Sequence, residues 1–215
     1  DYTGNNIEDI GYVAPELNEK DVSQEILGAI GFRPRKHQTP WSSACVSLLE
    51  EEDALFANLK SKWRNLLRKA QKSDLVLRHW DGSERDVEIV VEYYRRIQQE
   101  KGFDGISEDL LRALSRQDGD DWRFKIYFAI RDSNSSNPNE LIGILVSVIH
   151  GDKATYLIGL TNDFGRKYNA NYLMLWQSII DSRRHGCRWY DLGGINSNTP
   201  KGVAHFKRGL RGQEY

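Results

Sequence analysis

Cysteine is nearly absent from this chain: 215 residues carry two, Cys45 and Cys187. That excludes a disulfide-stapled scaffold. Neither thiol has metal-ligand spacing, so both read as core cysteines of a reducing, cytoplasmic protein, with a disulfide as the lesser alternative. Long apolar runs are missing too. None approaches the roughly 20 residues of a membrane span. The opening segment DYTGNNIEDI shows neither a basic n-region nor an apolar h-region, so no signal peptide is expected. There are no internal repeats and no overall bias of charge, the formal net being −1. No Ser–His–Asp order, no Cys–His pairing and no metal-ligand cluster stands out. A covalent acyl-enzyme and a metal centre are therefore not expected. Length allows one large domain with a sizeable core, or one domain plus a piece.

What the chain does have is concentrated near its end, CRWYDLGGINSNTPKGVAHFKRGLRG, Cys187 to Gly212. CRWYDL reads as a strand that packs apolar and aromatic side chains on a sheet. It stops at Gly193-Gly194, where the backbone is freed from the limits of a Cβ. A polar turn with Asn196, Ser197, Thr199 and Pro200 follows. The chain then re-enters as His205-Phe206-Lys207-Arg208-Gly209, read as a further strand with Lys207 and Arg208 on opposite faces. A strand opening at paired glycines onto a basic-aromatic segment suits a ligand cleft. A surface loop followed by a solvated edge strand fits the spacing equally well.

YDLGGI followed by GVAHFKRGLRG resembles the YDFGGI…GVYxFKxGFGG signature of the FemABX peptidyltransferases, which add amino acids from aminoacyl-tRNA to the peptide stem of peptidoglycan precursors. LKSKWRNLLRKAQKSDLVL, Leu59 to Leu77, is similar to the family's K-x-R-x-x-I-R-K-A helix and following strand. Tyr156 to Asp191 resembles its strand-to-helix stretch, with Leu173-Met174-Leu175-Trp176 as the leucine-to-tryptophan step. The three occur in family order across most of residues 59–212. The chain departs from the signature at GLRG, where Leu210 and Arg211 replace Phe and Gly. The resemblance begins late in the first of the family's two acetyltransferase-like domains. Residues 1–50 are accordingly expected to be the tail of such a domain or a lead-in, and residues 51–215 an acetyltransferase-like domain.

Periodicity supplies the elements. A helix is expected over Asp21–Ile30, a strand over Trp41–Leu49, and one helix from Glu51 to about Lys72, with Leu55, Leu59, Trp63, Leu66, Leu67 and Ala70 in a stripe. A strand over Leu75–Trp80 and a helix over Asp86–Glu100 follow, then a helix capped by Ser107. Three strands come next, Trp122–Arg131, Leu141–His150 and Thr155–Leu160. The biased tract Arg131–Glu140 reads as a hairpin loop, and Gly151-Asp152 as a tight turn. A long helix over Arg166–Arg184 and a strand over Arg188–Leu192 complete the pattern. Helix, helix, meander, helix, strand is the order of an acetyltransferase-like α/β (α+β) fold: a mixed sheet flanked by helices.

The resemblance implies an aminoacyl-tRNA donor, a nucleotide-sugar or lipid-linked peptide acceptor, possible peripheral membrane contact, and no cofactor. CoA-dependent relatives of the fold hold pyrophosphate on an R/Q-x-x-G-x-G/A loop at the start of the long helix. Here Asn169 and Asn171 stand in place of the glycines, so CoA is not expected. Between Lys60 and Arg78, seven basic residues face one acid, Asp74. Arg64 and Arg68, four apart, are the best pair for one phosphate, although charge runs are more often a solvated face. By resemblance, Lys207 stands beside the donor's reacting end, where a cation suits an oxyanion or the terminal phosphate. Phe206 would give an apolar wall or a stacking face for the terminal adenine. Asp191, after Tyr190 at the strand end, could act as base or tie down the Gly193-Gly194 turn. His205 is a weaker base candidate. The reading is an aminoacyltransferase. A CoA- or carrier-thioester-dependent N-acyltransferase and a non-catalytic binding domain are the alternatives.

Overall fold

The computed structural model describes Ala29 and residues 42–215, apart from 103–104, 118, 132–139 and 198. The expected helix over Asp21–Ile30, Ala29 excepted, residue Trp41 and most of the 131–140 loop lie outside the described residues. Among the described residues, seven strands form one mixed sheet in the order β2-β3-β4-β5-β6-β1-β7. They are β1 Ala44–Ser47, β2 Leu75–His79, β3 Trp122–Arg131, β4 Leu141–His150, β5 Lys153–Thr161, β6 Trp189–Asp191 and β7 Gln213–Glu214. All neighbours are antiparallel except β5 and β6. Gly151, at φ +58°, makes the turn from β4 to β5, a left-handed conformation that glycine adopts without a Cβ clash.

Helices cover both faces. On one lie α3, Glu84–Lys101, and α4, Glu108–Ser115. The Ser83 hydroxyl accepts from the Asp86 N–H and the Ser107 hydroxyl from the Leu110 N–H, each satisfying a donor that the first turn leaves unpaired. Val87, Val90, Val91, Tyr94 and Ile97 pack there against Phe124, Ile126, Phe128, Val146 and Ile158. Arg78 on β2 grips Asp86 of α3 through two bonds of 2.6 and 2.9 Å, fastening this layer to the edge strand. The other face carries α1 Glu52–Asn58, α2 Ser61–Gln71, α5 Asp163–Lys167, α6 Ala170–Arg184 and α7 Lys201–Arg208. Leu55, Leu59, Trp63, Leu67, Met174, Leu175 and Ile179 pack with Tyr127, Leu145, Ala154 and Tyr190 beneath them.

Three expected elements differ. The helix over Glu51–Lys72 is two helices, because Leu59 and Lys60 are extended, at ψ 145° and 140°. The break lets the Lys60 N–H bond the Gly209 carbonyl at 2.9 Å, docking α2 on the chain terminus. The apolar stripe runs through the break because Leu59 stays buried. The helix over Arg166–Arg184 is likewise split, into α5 and α6, at Asn169 with φ +59°. Finally, His205–Gly209 is not a strand. It lies in and just after α7, whose Ala204, Phe206 and Lys207 are buried, as is Leu210 beyond it. Trp63 stacks on Phe206 at 5.9 Å, Tyr172 meets it edge-on at 4.9 Å, and the Trp63 indole N–H bonds the Phe206 carbonyl at 3.1 Å. These contacts give Phe206 a closed aromatic socket that a strand on the sheet edge could not reach.

Candidate active site

The site begins where two parallel strands part. β5 and β6 pair only over Lys153–Thr155 against Trp189–Asp191. Beyond this, β5 continues to Thr161 while the other branch turns through Gly193-Gly194. Gly193 sits at φ +66°, and a Cβ there would lie 3.0 Å from the Tyr156 carbonyl and 3.5 Å from the Lys207 ammonium. The fork needs a glycine on both counts: backbone conformation and close approach. A bulge interrupts β5 beside the fork. Val146 pairs with Ile158 but Ser147 pairs with Tyr156, so Leu157 is an extra residue on β5.

Asp191 holds the turn. Its Oδ1 accepts from the Ser43 hydroxyl at 2.5 Å and from the Gly193 N–H at 2.7 Å, and its Oδ2 accepts from the Tyr215 hydroxyl at 2.6 Å. Tyr215 in turn exchanges two backbone bonds with Ser43. Engaged on both oxygens, the carboxylate fastens the glycine turn to Ser43 and Tyr215. Ser43 and Tyr215 were not legible as site residues. Tyr215 pairs through backbone with a residue more than 170 positions away, and no local pattern reports that.

Lys207 stands in the fork. Its ammonium donates to the Gly194 carbonyl at 3.0 Å and lies 5.1 Å from the centre of the Tyr156 ring. The residue is only 6% exposed. It therefore sits within the fold rather than in an open, solvent-washed cleft. Desolvation lowers its pKa to about 8, partly offset by the Asp191 charge. Both protonation states are thus accessible near neutrality. The next residue, Arg208, is exposed and pairs with Glu214 at 2.7 Å. It faces away as expected, but because a helix turns about 100° per residue rather than because a strand alternates.

The other candidates are placed as follows. Tyr190 is fully buried, and its hydroxyl bonds Ser178 at 2.8 Å, which bonds Ser147 at 3.0 Å. This anchors α6 to the sheet under the fork and presents no surface to a ligand. Phe206, 9% exposed, is held between Trp63 and Tyr172, so its ring supports α7 and offers no free face for stacking. Gly193 and Gly194 line the fork. Arg64 donates to the Ala57 carbonyl at 2.5 Å, and the Arg68 guanidinium lies 5.1 Å over Phe56. Both arginines fold back on α1. His205 is exposed. Burial raises the Cys187 thiol to about 11, which keeps it protonated and unreactive. Among the described residues no His, Cys, Asp or Glu cluster could hold a metal. None of the described helices is long and apolar enough to cross a membrane.

At the start of α6, Asn169 takes the left-handed conformation and its side chain makes no capping bond. The backbone shape that a glycine would give is present, with an amide side chain added. The Tyr156 ring, which sequence reasoning passed over, forms one wall of the fork.

The family described as acetyltransferase (GNAT) domain matches this chain over residues 57–208. Among solved structures it is similar to FemX, at 13% identity and a TM-score of 0.72, over 89% of this chain and 65% of that one. It is similar to L-PGS of Bacillus licheniformis, at 10% identity and a TM-score of 0.60, over 89% and 62%. A third likeness is to the C-terminal domain of a putative lysylphosphatidylglycerol synthetase of Agrobacterium fabrum, at 11% identity and a TM-score of 0.55, over 81% and 57%. The chain spans less than two thirds of each of these, and at such identities the likeness is one of fold. A search of curated proteins found no match. With the family match running from α1 through the forked strands to α7, well over half the chain, this protein belongs to the acetyltransferase (GNAT) domain family, in a FemX-like version of that fold.

Proposed function

We propose that the fork between β5 and β6 transfers an aminoacyl group from a tRNA ester to an amine on the peptide of a peptidoglycan precursor. The observation that carries this reading is the Lys207 ammonium, buried at the fork and aimed by the Gly194 carbonyl. The amine nitrogen attacks the ester carbonyl, a tetrahedral oxyanion forms, and the C–O bond to the ribose breaks. The amine's proton ends on the departing ribose oxygen. A cation in a desolvated site stabilises the oxyanion more strongly than one in water, and it needs no reorganisation at the moment of reaction. Asp191 fixes the glycine turn that supplies Lys207's anchor. Basic residues of α2, Lys62 and Lys69 among them, are exposed and would meet RNA phosphates; Arg64 and Arg68 would have to leave their α1 contacts to join them. The resemblance to FemABX proteins and the FemX-like fold support the choice of donor and acceptor.

A second reading, transfer from CoA to another amine, is favoured by one feature: Asn169 already adopts the glycine-like backbone that a phosphate loop needs. A thermal-shift panel of CoA, acetyl-CoA, a nucleotide-sugar pentapeptide and a non-hydrolysable aminoacyl-tRNA mimic separates the two, because saturating binders of the native state raise Tm by mass action. The account expects shifts with the last two. A shift with CoA alone overturns it.

A further inference from the structure

β2 leaves the sheet before its neighbour ends. It pairs with β3 only from Leu75 opposite Arg131 to His79 opposite Tyr127. The Trp80 N–H still bonds the Ile126 carbonyl at 3.0 Å, and then Gly82, at φ +93°, turns the chain into α3. Among the described residues, the remaining part of β3, Trp122 to Lys125, is paired on its β4 side and carries no strand on its outer edge. Successive residues of an antiparallel strand point their backbone groups to alternate sides. The Ile126 carbonyl faces the β2 side, so the N–H and carbonyl of Phe124 face it too. The Trp122 N–H, which also faces that way, is taken by the Gly119 carbonyl at 3.2 Å. Phe124 is therefore the open rung of the ladder.

A cleft of about 310 Å³ lies along this edge. One wall is aromatic: Trp80 meets Phe124 edge-on at 5.5 Å, and Trp122 packs on the same face. The Trp80 indole N–H donates to the Ser83 carbonyl at 2.9 Å and that of Trp122 to the Leu114 carbonyl at 3.2 Å, which fixes both rings. The other wall is cationic. Arg123 and Lys125 line the cleft and, by alternation, stand on the face opposite to Phe124. Among the described residues neither is paired with a carboxylate. We propose that the outer edge of β3 from Trp122 to Lys125 takes an acidic peptide as an added antiparallel strand, in the place that β2 vacates. Paired residues share a face. The residue opposite Phe124 exchanges two backbone bonds with it and seats an apolar side chain between Trp80 and Trp122. Its two neighbours fall opposite Arg123 and Lys125, which carboxylates match. The edge thus reads acid, apolar, acid. Nucleic acid brings negative charge but no backbone that completes a rung. Strand β4 lies between this edge and β5, and the site stands whether or not the fork transfers an acyl group.

The test needs no activity. The probe is the peptide Val-Glu-Leu-Glu-Val, labelled with fluorescein at its N-terminus and amidated at its C-terminus, titrated with the full chain by fluorescence anisotropy. Saturable binding with Kd below about 0.5 mM is expected. Val-Lys-Leu-Lys-Val should bind at least about tenfold more weakly, because like charges then face each other. Arg123→Glu/Lys125→Glu should reverse that order. N-methylation of the central leucine removes the N–H that reaches the Phe124 carbonyl and should weaken the acidic peptide by about tenfold. Amide hydrogen exchange at Phe124 should slow by at least about tenfold at saturating peptide, while exchange at Trp122, already bonded to Gly119, stays as it was. Absence of saturable binding overturns the proposal. So does an acidic peptide that binds a folded double variant as tightly as wild type. An N-methylated peptide of full affinity, with Phe124 exchange unchanged, would reduce the site to a surface for anions and overturn strand addition. Polyuridylate that binds wild type more tightly than the peptide, and loses that binding in the double variant, would assign the edge to nucleic acid instead. Should the double variant not fold, the N-methylated peptide and the Phe124 exchange, both read on wild type, still decide.

Discussion

At the scale of single residues, Lys207 is where stability and chemistry oppose each other. Its folded-state pKa, about 8, lies below the ordinary 10.5, so folding moves Lys207 toward the neutral amine, although it remains the ammonium below about pH 8. Below pH 8 the buried ammonium costs the fold about 3 kcal/mol. Lys207→Met, similar in length and uncharged, should therefore raise Tm at pH 7, less the cost of an unpaired Gly194 carbonyl, about 1 kcal/mol. It should also lower transfer by roughly 10²–10³, the usual loss for one oxyanion donor. A destabilised Lys207→Met protein would show that the ammonium is better solvated than its burial implies. Arg208→Ala is the neighbouring control. It removes an exposed ion pair with Glu214 and should change stability by no more than about 0.5 kcal/mol and transfer hardly at all. Gly193→Ala is a backbone test. At φ +66°, with the Tyr156 carbonyl 3.0 Å from the new Cβ, it should destabilise by at least about 1 kcal/mol and reduce transfer by misplacing the acceptor that aims Lys207. Urea unfolding of each variant reads the stability terms.

At the scale of elements, the regular pieces were legible and their interruptions were not. The meander, the Ser107 cap and the Gly151 turn follow from alternation and local side-chain chemistry, whereas the Ser83 cap was not read and its helix was expected only from Asp86. The break at Leu59–Lys60 does not, because the same helical spacing of apolar residues continues across it and the cause, the Gly209 carbonyl, is far away in sequence. For α7, Gly202 and Gly209 bracket a segment too short to show a helical period. Its helicity rests on the aromatic socket around Phe206, which no eight-residue window contains. Trp63→Phe probes that socket. The ring survives but the bond to the Phe206 carbonyl is lost, and stability should fall by about 1 kcal/mol. A larger drop in transfer than in stability would place the socket's value in orienting α7. At the α5–α6 junction, calorimetry with acetyl-CoA should show no micromolar binding. Affinity at that level, about −8 kcal/mol, requires a formed site and would return the donor question to CoA despite Asn169 and Asn171.

At the scale of the whole molecule, the residues of the terminal motif meet at one place, the fork. Strands β5 and β6 part, a glycine turn follows, and a helix delivers a lysine into the gap. Lys207, Gly193 and Gly194, singled out from the sequence, stand together there. Tyr156, Ser43 and Tyr215 were not singled out, because their proximity to the fork depends on a bulge and on the backbone pairing of Tyr215 with Ser43. Lys207 also gives the molecule a pH signature in two opposed directions. The unfolded chain binds more protons than the native state between about pH 8 and 10.5, so Lys207's contribution makes stability rise with pH across that window. Transfer that depends on the cation should fall across the same window. Dividing the wild-type rate by the Lys207→Met rate at each pH cancels the titration of the acceptor amine, which both enzymes share. The decisive measurement is this ratio of kcat/KM from pH 6 to 10, with an alanyl minihelix as donor and a nucleotide-sugar pentapeptide as acceptor. The account predicts a ratio of roughly 10²–10³ at low pH that declines above about pH 8. A ratio near one throughout, or one that climbs as pH passes 8, would contradict the assignment of the buried Lys207 cation to the transfer step.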